Sequence, residues 1–451
     1  MKKILYIFIF VFVYSLFGQS LLNIKKADVF KQTKDGRRII YGNVSIEYDV
    51  YKVDCDSAIV DKDLKSAKLF KNVVLQDTAM TIHCDKADIY RYDEKRSAYL
   101  TGNVMMKRED MTVYGKFARL VELFDRVTIK DSVRVEYNPT PSILFCKELK
   151  YDTKKEVVSS NSIDSVFALD SLRYYELKTD RAVYDLSTSI LTLNSRYDLE
   201  VYELQDSIVN ISTFLPNNIP RLKKNLTFKS KSTISANKGN FNFESNNHSA
   251  SGQCKFSRYE IENPDTTFFS CENIDYSTDT GITQIDKNVK LDRGALSVTT
   301  DYGEFHHDKD LIKLLKIPKI IYESHTITGD TIYIYADNES LSPKEATIIN
   351  NAFFESIPDS NNIDEKNQMS GRRMDIWFEE EKLSKIYISK EAEALYFIRE
   401  DNNSSSKATN YLLGDTLIIN LDSKGITNAS VNGGCEGVYA PDRLKKKTIR
   451  K

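Results

Sequence analysis

The sequence predicts an all-β fold of repeated antiparallel strands. Three observations lead there: a small-residue motif recurs along nearly the whole chain, apolar and polar residues alternate with period two between its copies, and no stretch after the N-terminus carries a clear apolar stripe at helical spacing. The motif reads apolar, any, small or Thr, any, any, then Ala, Gly or apolar. It centres on Cys55, Cys84, Gly115, Cys146 and Thr179, and resumes at Ala236, Cys271, Thr300, Gly329, Gly371 and Gly414. Successive centres lie 29, 31, 31 and 33 residues apart, then 57, 35, 29, 29, 42 and 43. A period near thirty in a chain rich in Val, Ile, Tyr and Thr implies stacked β units, each too thin to bury an apolar face alone.

Within a unit the alternation is that of half-buried strands. Val44, Ile46 and Tyr48 alternate with Ser45, Glu47 and Asp49; Val73 and Leu75, Val104 and Met106, and Val133, Val135 and Tyr137 repeat the scheme. Gly42-Asn43, Lys71-Asn72 and Gly102-Asn103 precede the first Val of three of these runs and read as turns that open strands, because Gly and Asn tolerate positive φ. Each such Val stands eleven residues before a motif centre (44 to 55, 73 to 84, 104 to 115), and Val289 stands eleven before Thr300. A unit is therefore expected to hold two short antiparallel strands, with polar turns at Asp61-Lys62-Asp63, Asp93-Glu94-Lys95 and Asp152-Thr153-Lys154. Leu311 to Leu315 is the one segment read as a short helix. The wide interval of 57 has room for one degenerate unit near Val201 to Ile211.

The ends and breaks set the organisation. Lys2 and Lys3 precede fourteen uncharged residues, Ile4 to Phe17, and small residues follow at Gly18 and Ser20. This is the pattern of a signal peptide, assigned to residues 1–19, and its apolar run is short for a spanning helix. Two prolines and a basic run mark residues 216–224 as a linker or irregular rung between repeats at 20–215 and a second, diverged region at 225–440. Polar insertions at Pro358–Gln368 and Asn402–Lys407 read as loops. The basic tail, 441–451, is expected to be solvated or to meet anionic lipid headgroups.

Charge nearly cancels, with 63 Lys plus Arg against 65 Asp plus Glu, which gives no footprint for nucleic acid. The chain has no nucleophile elbow, zinc helix or phosphate loop, so no catalytic, metal or cofactor site is assigned. Four of the six cysteines occupy motif centres that Gly, Ala or Thr fills elsewhere, as small hydrophobes in a tight slot would. A Cys55–Cys84 disulfide stays open if those two lie side by side on neighbouring rungs. His306-His307 is the best metal candidate, but neighbours on a strand point to opposite faces.

The informative positions are therefore the inward apolar ones: Val44, Ile46, Val73, Leu75, Val104, Met106, Val133 and Val135. They read either as a packed core or as the lining of an apolar trough that shields acyl chains from water. The Gly-Asn-Val runs, the alternation after them, the small-residue motif with Ala58, Ala87 and Ala118, and the N-terminal signal together resemble the organic-solvent-tolerance (OstA-like) superfamily. The match is best over residues 22 to 140, with a diverged copy from Gln368 to Tyr439.

That resemblance implies one or more β-jellyrolls stacked into an elongated scaffold, open along one side. It implies binding of lipid A acyl chains and end-to-end strand pairing with other β-jellyroll transport proteins at the inner and outer membranes. The expected function is non-enzymatic: a scaffold in the periplasm, or associated with the outer membrane, that takes part in lipopolysaccharide transport and binds lipopolysaccharide or a related lipid. Two competing readings remain: a secreted structural or adhesive β-solenoid with a filled core and no lipid ligand, and a parallel β-helix acting on polysaccharide.

Overall fold

The computed structural model describes residues 22–48, 51–92, 95–122, 124–137, 142–169, 172–205, 227–261, 266–336, 343–357, 364–379, 382–398, 406–422 and 425–441. The expected signal peptide, the linker at 216–224, nearly all of the basic tail and the turn at Asp93-Glu94 lie outside them. Among the described residues every regular element is a strand, and neighbouring strands pair antiparallel. That excludes the parallel β-helix. Two compact units are present, Met1–Ser195 with Leu204–Thr227 and Arg196–Glu203 with Phe228–Lys451.

The eleven-residue offset is the signature of direct cross-strand partners. Val44 pairs with Cys55, Val73 with Cys84, Val104 with Gly115 and Val289 with Thr300. The strands are longer than the sequence suggests: Arg38–Tyr48, Tyr51–Val60, Ser66–Gln76 and Lys95–Arg108 each run unbroken. Gly42-Asn43, Lys71-Asn72 and Gly102-Asn103 do not open strands; they interrupt them. Tyr41 pairs with Ser57 and Val44 with Cys55, so Gly42 and Asn43 face Asp56 alone. Two residues against one is a β-bulge, and here both bulged residues are left-handed, at φ 80° and 46°. A bulge and a turn call for the same residues, and only continued pairing on both sides tells them apart.

The bulge also explains the motif. Cys55 and Ala58, like Cys84 and Ala87, are three apart yet all buried, because the ladder skips a residue between them. The expected helix at Leu311–Leu315 is a strand, held between Leu296–His306 and Thr331–Ala336. Hydrogen-bonded neighbours on both sides override any local helical preference. The degenerate unit expected near Val201 is the strand Tyr197–Leu204, and residues 206–211 lie outside the described set. The C-terminal strands fall where alternation places them, at Ala408–Asp422, Gly425–Asn432 and Glu436–Pro441.

In the first unit the core is built from two cross-strand rows, one on each side of the bulges. Before the bulge, Ile40, Ala58, Leu69, Ala87, Leu100 and Ala118 follow one another across six strands, large alternating with small. After it, Ile46, Val53, Leu75, Ile82, Met106 and Val113 are all large. Every member of both rows is buried. Rims of the two halves meet: Tyr51 stacks on Phe124 at 5.1 Å, and Arg108 reaches Glu156 at 3.2 Å and lies over the Tyr151 ring at 5.2 Å.

A candidate lipid-binding interior

The eight positions singled out from the sequence all belong to this interior. Val44, Val73, Val104 and Val133 sit at the bulges, each beside a small partner (Cys55, Cys84, Gly115 and Cys146) on the next strand. Ile46, Leu75, Met106 and Val135 belong to the row of large side chains beyond. Seven are at most 1% exposed, and Val135 is half-buried. The structure thus gathers them on one face, and that face of the first unit is filled by protein.

Small motif centres are required by what crosses above them. A Cβ on Gly115 would strike Cγ2 of Ile129, and one on Gly371 would strike Cγ2 of Ile388. Burial pushes the Cys55 and Cys84 thiols up to about 12, so both are neutral small hydrophobes at ordinary pH. They do not lie on neighbouring strands. Val73 stands between them, two ladder spacings separate them, and at about 4.8 Å each that exceeds a disulfide's reach.

The second unit repeats the two-row plan with a different filling. After the bulges at Gly252-Gln253 and Lys287-Asn288 the row runs Ile234, Phe256, Phe269, Leu291, Val298 and Ile320. Before them it runs Phe241, His248, Tyr276, Thr283, Phe305 and Ile312. Ile234, Phe256, Phe269 and Leu291 are only half-buried, whereas Val298 and Ile320 are buried. Here the interior opens.

A cavity of 110 Å³ lies in this unit, lined by Phe269, Leu291 and Val298 from the row after the bulges and by Phe305, Ile312 and Ile334 from the side before them. Lining drawn from both rows means that the two halves of each kinked strand face one another across the void. Deeper in, the interior is closed by Ile348, Met374, Ile386 and Leu417, all fully buried. An apolar void of this order stays dry and accepts apolar guests.

The sequence reading aligned Val289 but did not extend the lining to Leu291 or Phe269. Leu291 carried a usable signal, since it stands two residues past Val289 as Leu75 stands past Val73. Phe269 carried one too, since it stands two residues before the motif centre Cys271 as Val53 stands before Cys55, and its pairing with Leu291 agrees. His306 and His307 have separate partners, Glu304 at 3.1 Å and Thr283 at 2.8 Å. Among the described residues no three His, Cys, Asp or Glu side chains converge as a metal site would need.

Residues 20–123 match the model of the family described as OstA-like protein. The resemblance seen in the repeats therefore holds over that segment, and the antiparallel all-β architecture agrees with it. No curated protein matches the chain. Among solved structures, the crystal structure of LptH from Pseudomonas aeruginosa is 14% identical and matches 32% of this chain and 95% of its own, with a TM-score of 0.24. Its title describes LptH as the LptA-homologous periplasmic component of the conserved lipopolysaccharide transport device. A likeness this slight carries no argument about the fold.

Proposed function

We propose that this chain, OstA-like over residues 20–123, is a periplasmic or outer-membrane-associated scaffold that takes part in lipopolysaccharide transport and holds acyl chains in its interior. The observation that carries the reading is the apolar cavity of the second unit, reached past half-buried inward side chains and lined from both halves of the kinked strands. Each methylene moved from water into such a lining contributes about 0.8 kcal/mol, without regard to the order of atoms along the chain. Binding of this kind suits a carrier, because it is additive and directionless. No step in it needs a catalytic group or a cofactor.

In the first unit the same inward parity holds Val44, Ile46, Val73, Leu75, Val104, Met106, Val133 and Val135, and lipid reaches them only if the rim at Tyr51–Phe124 and Arg108–Glu156 parts. Partners pair at the strand edges. Among the described residues Glu436–Pro441 is paired only with Ala408–Asp422 and exposes Val438 and Tyr439, while Val29 and Phe30 are exposed on a strand beside Arg38–Tyr48. Free edges of this kind accept another strand, which supports end-to-end pairing with other β-jellyroll transport proteins.

Photo-crosslinking in cells tests the reading. Probes at Phe269 and Leu291 should capture lipopolysaccharide, and probes at the outward neighbours Phe268 and Lys290 should not. Probes at 73 and 104, against 72 and 103, report whether the first unit opens as well. Equal capture at both parities would defeat the trough. The filled interior of the first unit favours a second reading, a purely structural scaffold, and capture from none of these positions would establish it.

A further inference from the structure

At five bulges the residue after the left-handed pair is a valine with a small partner on the next strand: Val44 with Cys55, Val73 with Cys84, Val104 with Gly115, Val133 with Cys146, Val289 with Thr300; at two more, Ala352 faces Gly371 and Ala392 faces Gly414. A further rung pairs two cysteines. Gly252 and Gln253 form the left-handed pair, the next residue is Cys254, and its direct partner is Cys271. Two thiols therefore face each other where the other rungs place Val or Ala against a small residue. They are 1% and 4% exposed, and each thiol donates to a backbone carbonyl beside the pair, Cys254 to Glu272 at 3.4 Å and Cys271 to Asn273 at 3.2 Å. Directly opposed residues of an antiparallel pair have Cα atoms about 4.5–5.5 Å apart, inside the window a disulfide spans.

We propose that Cys254 and Cys271 are a disulfide site, joined by an oxidant that itself carries a disulfide, so that the strand Asn247–Glu260 is stapled to Thr267–Ser277 at the bulge. The step balances. One of the two thiolates attacks one sulfur of the oxidant and expels a thiolate. The other cysteine then attacks the protein sulfur of that mixed disulfide and expels the oxidant's second sulfur. Two protons and two electrons leave with the oxidant as two thiols. The staple would sit on the flank of the cavity, since Phe269 and Val289 line that void and Cys271 lies two residues from Phe269. The pairing holds whether or not the cavity takes lipid.

The test uses the full chain carrying Cys435→Ser, because Cys435 is the exposed cysteine and would react unspecifically. The folded protein is treated with oxidised glutathione, denatured without reductant, alkylated and mapped by mass spectrometry. Two fewer thiols should alkylate, and one joined peptide pair should contain Cys254 and Cys271 and lack the mass of two hydrogens. The oxidised form should melt higher by roughly 5 °C, and reductant should reverse the gain. Adding Cys254→Ser or Cys271→Ser should abolish both the joined peptide and the shift. If all five remaining thiols still alkylate, or if the joined peptides carry Cys55, Cys84 or Cys146 instead, the assignment is overturned.

Discussion

Asn72 donates from Nδ2 to both carboxylate oxygens of Asp56, at 3.1 and 3.0 Å. The contact repeats along the chain: Asn43 to Asp28 at 2.8 Å, Asn103 to Asp85 at 2.9 Å, Asn351 to Asp330 at 3.0 Å. In each case the donor sits in a left-handed bulge and reaches back to an acidic residue on the chain before it. For Asp56, Asp85 and Asp330 that acidic residue follows a small motif centre directly. The bulge kinks the strand, and the kink lets the two halves face each other. The small residue, the Asp and the Asn are thus parts of one bending device.

Substitutions at Asn72 should separate backbone conformation from the side-chain contact. Asn72→Ala keeps a Cβ at φ 49° and should cost about 1–2 kcal/mol, whereas Asn72→Gly loses only the exposed hydrogen bond and should cost less. Asn72→Val should be the worst of the three, because a β-branched side chain resists positive φ most. Denaturant midpoints give the order. If Gly proved as damaging as Val, the left-handed conformation would not be what the position requires.

Gly115→Ala should destabilise by about 1–3 kcal/mol, since the added methyl meets Cγ2 of Ile129. Combined with Ile129→Ala, which removes that carbon, the two costs should fall short of additive. A double-mutant cycle measures the coupling. Simple additivity would show that Gly115 is not set by the side chain lying over it.

Leu291→Trp should fill the cavity while leaving the fold intact. Capture of lipopolysaccharide at Phe269 should then fall at least about tenfold, the equivalent of losing roughly two buried methylenes. The melting temperature should stay near that of the unmodified chain. Undiminished capture with Trp in place would move the lipid site elsewhere.

His325 stacks on Phe354 at 5.4 Å, its Nδ1 is buried without a partner, and burial pulls its pKa below the ordinary 6.5. The unfolded chain takes up a proton near 6.5 while the folded chain refuses it to lower pH. Stability from this group is therefore present above 6.5 and is lost as pH falls below it. His325→Phe should reduce the drop in melting temperature between about pH 7.5 and about pH 5.5. An unchanged drop would mean that His325 does not contribute to the acid sensitivity.

Much of this plan was legible in the residues. Val73 and Leu75 announced their inward parity, and the eleven residues from Val73 to Cys84 stated a hairpin partnership, because side-chain direction along a strand has period two whatever surrounds it. Local chemistry also fixed which residues could take positive φ, so Asn43, Asn72 and Asn103 stood out before any fold was known.

The strand repeat, its inward face and the places where the backbone bends can all be read from the order of residues. Long-range packing had to settle that the bends are bulges inside long strands, that Cys254 rather than Cys55 meets another thiol, and that the interior is filled around Val73 yet opens beside Leu291. Parity and propensity act through neighbours in the chain, but register, sulfur-to-sulfur proximity and the width between facing half-sheets depend on side chains brought together from many strands at once.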